Sequence, residues 1–382
     1  MDPPEPRRRI VQPRRIRGKY PFILQFGITS KCNLRCSHCY DDTEEHIHMP
    51  FDHITAVLDK FFSFCHQFNR APMFWITGGE PTIHPQFWKI LDYITEQTNQ
   101  LDTECLAALL SNGITLDQGF IQKLEAHPLR IYVQVSVDGA SAETHDAIRG
   151  KGSFEKAIRA LTLLQPTSIE THMHFVVHKQ NYEDGFRMTD LAKEVGVNVL
   201  TVTRLVPWGR GKELYESMLT PDQVQKLFRK LSDDLDAIIA ASNPPEVPPK
   251  PYISRDRCDW PIIYPDPSTP EAQLKNGFRC GAARSYINVM ENGDVYPCRR
   301  MPIKVGNVLE QDFIDVWQHP LMWKLRQKYK FVQGKCQNCY FCVKNPGICS
   351  GGASCIAYAV YNDPFQPDPQ CAINPQESPA GV

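Results

Sequence analysis

Apolar stretches alternate with helix-periodic segments through the first 200 residues, and this alternation limits the fold more than any other feature. Strand candidates cover residues 22–28, 73–77, 104–110, 131–137, 170–177 and 197–203. Amphipathic segments lie between them at 51–68, 85–96, 116–126, 153–164 and 184–195. In the first of these, apolar side chains fall at 51, 54, 57, 58, 61, 62, 65 and 68, the helical period. Successive βα units predict an α/β fold with a parallel sheet. The strand at 131–137 selects among such sheets. Its odd positions are aliphatic, whereas Tyr132, Gln134, Ser136 and then Asp138 share the other face. A central strand of an open doubly wound sheet is apolar on both faces. One polar face predicts a partial (βα)6 TIM-like barrel with helices outside and a ligand inside.

At 382 residues the chain is long enough for two domains. Thr220-Pro221-Asp222-Gln223 starts a helix with a capping box, and the proline-rich stretch 243–251 ends it as a stiff linker. The expected organisation is a basic arm at 1–20, the barrel at 21–215, a helix and linker at 216–257, a small cysteine-rich domain at 258–373 and a tail at 374–382. The arm carries Arg7, Arg8, Arg9, Arg14, Arg15, Arg17 and Lys19 without a following apolar region, which excludes a secretory signal. It reads as a solvated tail, with a contact arm for an acidic partner or an edge closing the barrel bottom as alternatives. Net charge is -1, so no global field favours nucleic acid, and no apolar run is long enough to span a bilayer. Fourteen cysteines without a signal peptide point to a reducing, cytoplasmic setting and to metal ligation. Cys65 and Cys105 stand alone in apolar patterns and read as core filler.

Cys32, Cys36 and Cys39 follow the first strand at spacing C-x3-C-x2-C. Three thiolates so spaced can grip three corners of a cubane iron–sulfur cluster, whereas zinc sites usually show paired C-x2-C knuckles. No fourth cysteine is near in sequence, so one iron stays open for a small molecule; an inert zinc or structural cluster is the alternative. Gly78-Gly79-Glu80-Pro81 follows the second strand. Its glycines let backbone approach a ligand, and its carboxylate can hold an ammonium group.

With these two motifs at successive strand ends, residues 21–210 resemble the radical S-adenosylmethionine superfamily. The resemblance implies a [4Fe-4S] cluster on Cys32, Cys36 and Cys39, its open iron chelated by S-adenosylmethionine. Gly78, Gly79 and Glu80 would hold the methionyl ammonium, and Ser136 would lie near the ribose. His38, at a position that is often aromatic, would lie near the adenine, with Tyr40 beside it; Ser111-Asn112-Gly113 matches a further cofactor-side turn, placing Asn112 there. The chemistry implied is reductive cleavage to a 5′-deoxyadenosyl radical that abstracts a hydrogen atom from substrate.

The later cysteines resemble the SPASM extension, whose relatives carry auxiliary [4Fe-4S] clusters, two in the fullest form. Carried over by position, Cys280, Cys298 and Cys355 serve the first, with Cys258 the candidate fourth ligand; Cys336, Cys339, Cys349 and Cys371 serve the second. Spacing departs from the family here, so Cys342 is either a spare or a replacement for Cys349. For Cys336/Cys339 taken alone, a zinc ribbon is also open.

His172 and His174 share a strand face, with His178 beyond them, and are candidate acids or bases inside the barrel; hydrogen-bonded core histidines are the alternative. Asp138 is a candidate general base or hydrogen-bond anchor. Arg204, and Arg210 within Gly209-Arg210-Gly211, are candidates to anchor a carboxylate. Relatives of this layout largely modify ribosomally made peptides or proteins, so the resemblance implies a peptide or protein substrate. With about twenty residues ahead of the first strand, a separate leader-binding protein is expected, and a flavodoxin- or ferredoxin-type electron donor. The alternatives are a small molecule such as a tetrapyrrole side chain, and a non-catalytic iron–sulfur or zinc-binding protein.

Overall fold

The structure, a computed structural model, describes residues 16, 19–41, 45–241, 250–254, 280–344 and 349–373. Strands β1 (Pro21–Gly27), β2 (Ala71–Thr77), β3 (Leu106–Ser111), β4 (Ile131–Ser136), β5 (Thr171–Val177) and β6 (Val199–Arg204) pair in parallel and in chain order. Their connections carry helices α1 (Phe51–Gln67), α2 (Phe87–Gln100), α3 (Gln118–Ala126), α4 (Ala142–Arg149), α5 (Ser153–Leu164), α6 (Tyr182–Gly185) and α7 (Met188–Val195). Strands laid down in order with crossovers of one hand place every helix on one face of the sheet. The other face turns inward, which makes the α/β architecture a partial barrel.

Side-chain alternation decides what each face holds. Phe26, Phe74, Ile76, Val133, Val135 and Phe175 face the helices and are fully buried. Aromatic contacts concentrate there: the Phe61 ring of α1 lies 5.3 Å from Phe74 and 5.5 Å from Phe313 of the C-terminal region. Inside the barrel, Ala71, Met73, Leu106, Ala108 and Tyr132 form an apolar floor, and Ile16 of the N-terminal arm packs into it. Residues 1–15, 17 and 18 of the arm lie outside the described residues.

After β6 the chain enters α8 (Pro221–Ala241) through the expected capping box: Gln223 N donates to Thr220 Oγ1 at 3.2 Å, and Thr220 N to Gln223 Oε1 at 2.9 Å. The C-terminal region then joins the same sheet rather than standing apart. Strand β7 (Tyr252–Ile253) pairs with β6 at one edge. At the other edge, β8 (Tyr286–Val289) runs parallel to β1 and continues into an antiparallel meander of β9 (Asp294–Tyr296) and β10 (Gly306–Asn307). Lys60 of α1 reinforces this edge by donating to the carbonyls of Val308 and Gln311, both at 2.9 Å. Helix α4 has no counterpart in the sequence reading, because its eight residues bury only His145, Ile148 and Arg149. Its signal was Ser141, which caps it by accepting from Thr144 N. Cys65 and Cys105 are buried in the core, and burial pushes both thiols up.

Because Phe74 is fully buried between Phe61 and Phe62, Phe74→Ala should cost about 3–5 kcal/mol of unfolding free energy, measured by denaturant titration with an unchanged far-UV spectrum.

Candidate active site

The turn after β2 is stapled to the segment that precedes Cys32. Gly79 N donates to Thr29 O at 2.7 Å, and Glu80 N to Lys31 O at 2.8 Å. The two backbones lie too close for side chains. A Cβ on Gly78, whose φ is +155°, would sit 2.2 Å from Thr29 O, and one on Gly79 would sit 2.3 Å from Lys31 O. Glycine is thus demanded by the docking of one strand end on the next. The Glu80 side chain continues the staple. It is fully buried and accepts from Thr82 Oγ1 at 2.6 Å, Ser111 Oγ at 2.9 Å and Asn112 N at 2.7 Å. Both carboxylate oxygens are engaged, and only Gly78 and Gly79 of the motif line the cavity. Through these contacts the Glu80 side chain ties the ends of β2 and β3 together.

Above the apolar floor the barrel opens into a cavity of about 530 Å³. Thr77, Ser111, Ser136 and Arg204, the last residues of their strands, all reach it, so it lies at the C-terminal edge of the sheet. Cys32, Cys36 and Cys39 line its mouth, and Ser136 and Asn112 its wall. Hydrogen-bond donors converge on the sulfurs: Leu34 N lies 3.4 Å and Asn112 Nδ2 3.9 Å from Cys32 Sγ, and Arg149 Nη1 lies 3.8 Å from Cys36 Sγ. Asn112 Nδ2 also donates to Asn33 Oδ1 at 2.7 Å. Partial burial of its sulfur pushes the Cys32 thiol up to about 11. Donors directed at sulfur suit thiolates that ligate a cluster. The loop after β6 completes the frame, with Arg210 Nε on Cys36 O at 3.0 Å and Gly211 N on Cys39 O at 3.2 Å.

Behind the cysteine loop lies a buried polar network. Asp138 is fully buried; it binds the Arg149 Nε–H, meets His38 Nε2 at 3.0 Å and accepts from Val176 N at 2.8 Å. The Arg149 guanidinium and His38 hold its carboxyl well below the usual range despite burial. Of the two roles open to Asp138 this environment fits the anchor, since a carboxylate so held accepts protons poorly. His38 meets Asp138 through Nε2 while its ring also lines the cavity, with no partner on Nδ1 among the described residues. His178 is fully buried with no partner on either ring nitrogen, its ring 6.2 Å from that of His38. Burial pushes it down to about 4, and burial with nearby Arg149 does the same to His145, whose Nδ1 accepts from Asp138 N at 3.1 Å.

The two histidines of β5 separate. His174 lines the cavity and contacts Thr203 Oγ1 at 3.1 Å. His172 is buried lower in the barrel, stacked on Tyr132 at 4.3 Å with Nε2 on Glu170 Oε1 at 2.7 Å, so its expected acid–base role is corrected to packing. Arg204 is likewise corrected. Its guanidinium meets Asp368 at 3.0 and 2.8 Å and Gln370 at 2.9 Å, so it clamps β6 to the C-terminal region instead of receiving a ligand carboxylate. Two residues absent from the sequence reading enter the cavity, Arg299 and Arg300. Arg299 meets Asp41 at 2.9 Å, and its guanidinium carbon lies 5.8 Å from the centre of the Tyr40 ring, which also lines the cavity. Their position directly after Cys298 was the available signal.

Among the later cysteines, Cys298 and Cys280 sit 3.6 and 4.0 Å from Tyr286 Oη, and the Tyr286 ring lies 5.8 Å from Trp75 on the cavity wall. Cys355 is buried at the start of the helix Ser354–Tyr361. Cys258 lies outside the described residues. Cys336, Cys339, Cys342, Cys349 and Cys371 line one small cavity. Hydrogen bonding from Cys342 toward Cys336, Cys339 and Cys349 holds Cys339 and Cys349 below the ordinary thiol range. Cys342 thus lies among the other four thiols, beside Cys349.

The family model of the Radical SAM superfamily matches residues 27–192, and that of an iron-sulfur cluster-binding domain, SPASM, matches residues 280–340. The chain belongs to the radical SAM superfamily and carries a SPASM domain. It is similar to the AdoMet-dependent heme synthase of Methanosarcina barkeri, with 28% identity over 93% of this chain and 97% of that protein. Similarity to the mycofactocin maturase MftC of Mycolicibacterium smegmatis is also 28%, over 92% and 82%. The fold is shared with the solved structure of native anSMEcpe with bound AdoMet and Kp18Cys peptide, at TM-score 0.72 and 19% identity over 92% of this chain and 94% of that one. The protein is a radical SAM enzyme of the SPASM type, with iron–sulfur clusters and S-adenosylmethionine as its cofactors. No helix among the described residues is long and apolar enough to cross a membrane.

Two outcomes follow from this geometry. Gly79→Ala should displace the loop through its contact with Lys31 O, giving faster limited proteolysis within residues 30–41, whereas Gly119→Ala, with its nearest neighbour at 3.5 Å, should not. His145 and His178 are neutral when folded and take up protons near 6.5 when unfolded, so the unfolded chain binds more protons as pH falls. Unfolding free energy should fall between pH 6.5 and about 4, by roughly 3 kcal/mol per histidine, and His178→Phe should flatten that slope.

Proposed function

We propose that Cys32, Cys36 and Cys39 hold three corners of a [4Fe-4S] cluster at the cavity mouth, and that S-adenosylmethionine binds between this loop and the ends of β2, β3 and β4. The observation that carries the reading is the convergence of donors on Cys32 and Cys36 at the mouth of a cavity walled by strand ends. When bound, these cofactors supply a 5′-deoxyadenosyl radical able to take a hydrogen atom from an unactivated carbon. The protein's own residues do the positioning. Gly78 and Gly79 expose backbone where the methionyl ammonium would lie, and Ser136 and Asn112 present polar groups from the wall. Arg149, fixed by Asp138, places positive charge beside the Cys36 sulfur and stabilises its thiolate. The apolar floor closes the far end against water.

The C-terminal cysteines are assigned to auxiliary clusters. Cys280, Cys298 and Cys355 serve one, with Cys258 as candidate fourth ligand. Four of the five thiols Cys336, Cys339, Cys342, Cys349 and Cys371 serve the other. A small ferredoxin or flavodoxin would deliver the electron, in a cytoplasmic setting consistent with so many free thiols.

The substrate is read as a peptide or protein side chain, supported by a maturase among the relatives and by the peptide in the anSMEcpe structure. A separate leader-binding protein fits that reading. A tetrapyrrole side chain is the second reading, favoured by the heme synthase, which matches over 97% of its length.

Holoenzyme reconstituted anaerobically and reduced with dithionite should convert S-adenosylmethionine to 5′-deoxyadenosine. In C32A/C36A/C39A that product should vanish and iron should fall by about four atoms per chain, leaving the auxiliary iron. Cleavage that survives the triple substitution would refute the assignment of the loop.

A further inference from the structure

The cavity's charge is not that of its cofactors. Seven lysine and arginine side chains line it, against the single carboxylate of Asp41 among its lining residues. Three of the cations are answered locally: Arg149 by Asp138, Arg204 by Asp368 and Arg299 by Asp41. Lys31, Arg35 and Arg210 have no carboxylate partner among the described residues. Glu80 and Glu291 are buried behind the wall and do not line the cavity. Arg299 adds a buried guanidinium whose Nε finds no partner and whose Nη1 reaches only to 3.4 Å from Thr77 Oγ1.

The cofactors do not require this excess. Three thiolates on an oxidised cubane carry a net charge of about minus one, and S-adenosylmethionine carries about plus one, so together they are near neutral. In a cavity with low-dielectric walls an unanswered cation attracts anions strongly. Guanidinium groups favour planar oxyanions, which they grip with two parallel hydrogen bonds. Resting on the reading that the substrate is a peptide or a tetrapyrrole, the anion available to either is a carboxylate. We infer that the substrate carries carboxylate groups, and that Lys31 and Arg35 at the mouth, with Arg299 in the wall, orient it over the cysteine loop.

The test uses the full-length holoenzyme and calorimetric titration with four probes. These are coproporphyrin III, its tetramethyl ester, a short Glu-rich peptide, and the same peptide with Gln at each Glu. The expected result is that at least one acid binds and its neutral counterpart binds about tenfold or more weakly. Binding should weaken as salt is raised. The porphyrin and peptide arms tell the two sources of carboxylate apart. K31Q/R35Q, compared at equal iron content, should weaken the acid by about tenfold; both side chains are exposed, so folding is spared. Equal binding of acid and neutral probes, no binding of either acid, or an unchanged affinity in K31Q/R35Q would overturn the inference. Production of 5′-deoxyadenosine by the same preparation separates the two proposals. Cleavage without carboxylate-dependent binding sinks only this inference, whereas carboxylate-selective binding without cleavage sinks the catalytic reading and leaves the anion site standing.

Discussion

The site depends on a backbone contact with no side chain in it. Gly78 and Gly79 lie against Thr29 and Lys31 so closely that a single added carbon would overlap a carbonyl oxygen. This contact fixes where the cysteine loop leaves the first strand, and so fixes the three sulfurs relative to the cavity. From it a chain of polar contacts spreads sideways. Glu80 links the ends of β2 and β3, and Asn112 passes that link back to Asn33 and Cys32. The opposite flank is held by Arg149 and Asp138 from below and by Arg210 and Gly211 from the last βα loop. A loop of cysteines is ordinarily mobile; here its neighbours on both sides are strand ends and buried ion pairs.

Two buried arginines show why charge is tolerated inside this fold. Arg149 and Arg204 each meet a carboxylate that is itself fully or nearly fully buried, and each carboxylate takes further backbone donors. Such pairs add little net stability over apolar packing, because both ions lose water, but removing one partner strands the other at a cost of several kcal/mol. Their value is positional. Arg149 sets charge beside a sulfur, and Arg204 holds the segment of Asp368 and Gln370 against the end of β6. The shared sheet edge of β1 and β8 does the same for the other side, so the cysteine-rich region is joined to the barrel both by a strand pairing and by the Arg204–Asp368 contact.

Much of this was legible in the chain. The polar face of Gln134 and Ser136 faces the cavity, as strict alternation requires, and the capping box at Thr220 starts its helix. The roles of individual polar residues were less legible, because sequence places a side chain on a face without saying what else reaches it. His172 and His174 share a face, yet two residues along a strand moves one from the cavity to the packed interior beside Tyr132. Glu80, Arg204 and Asp138 carry the charges of ligand-binding groups, and each has at least one partner 30 or more residues away. Arg299 escaped notice because it belongs to a region 258 residues from its partner Asp41.

The sequence by itself determined the α/β rhythm, the parallel order of the strands, the helix caps and the three-cysteine loop with its glycine turn. These follow from local periodicity, steric demands on glycine and the coordination chemistry of closely spaced thiols. Only the tertiary structure decided which charges are spent on the fold and which remain for a ligand. That division depends on where carboxylates are placed: where one meets the cation, as Asp138 meets Arg149 and Asp368 meets Arg204, the cation becomes a strut, and where none does, as at Lys31 and Arg35, its field is left for the cavity.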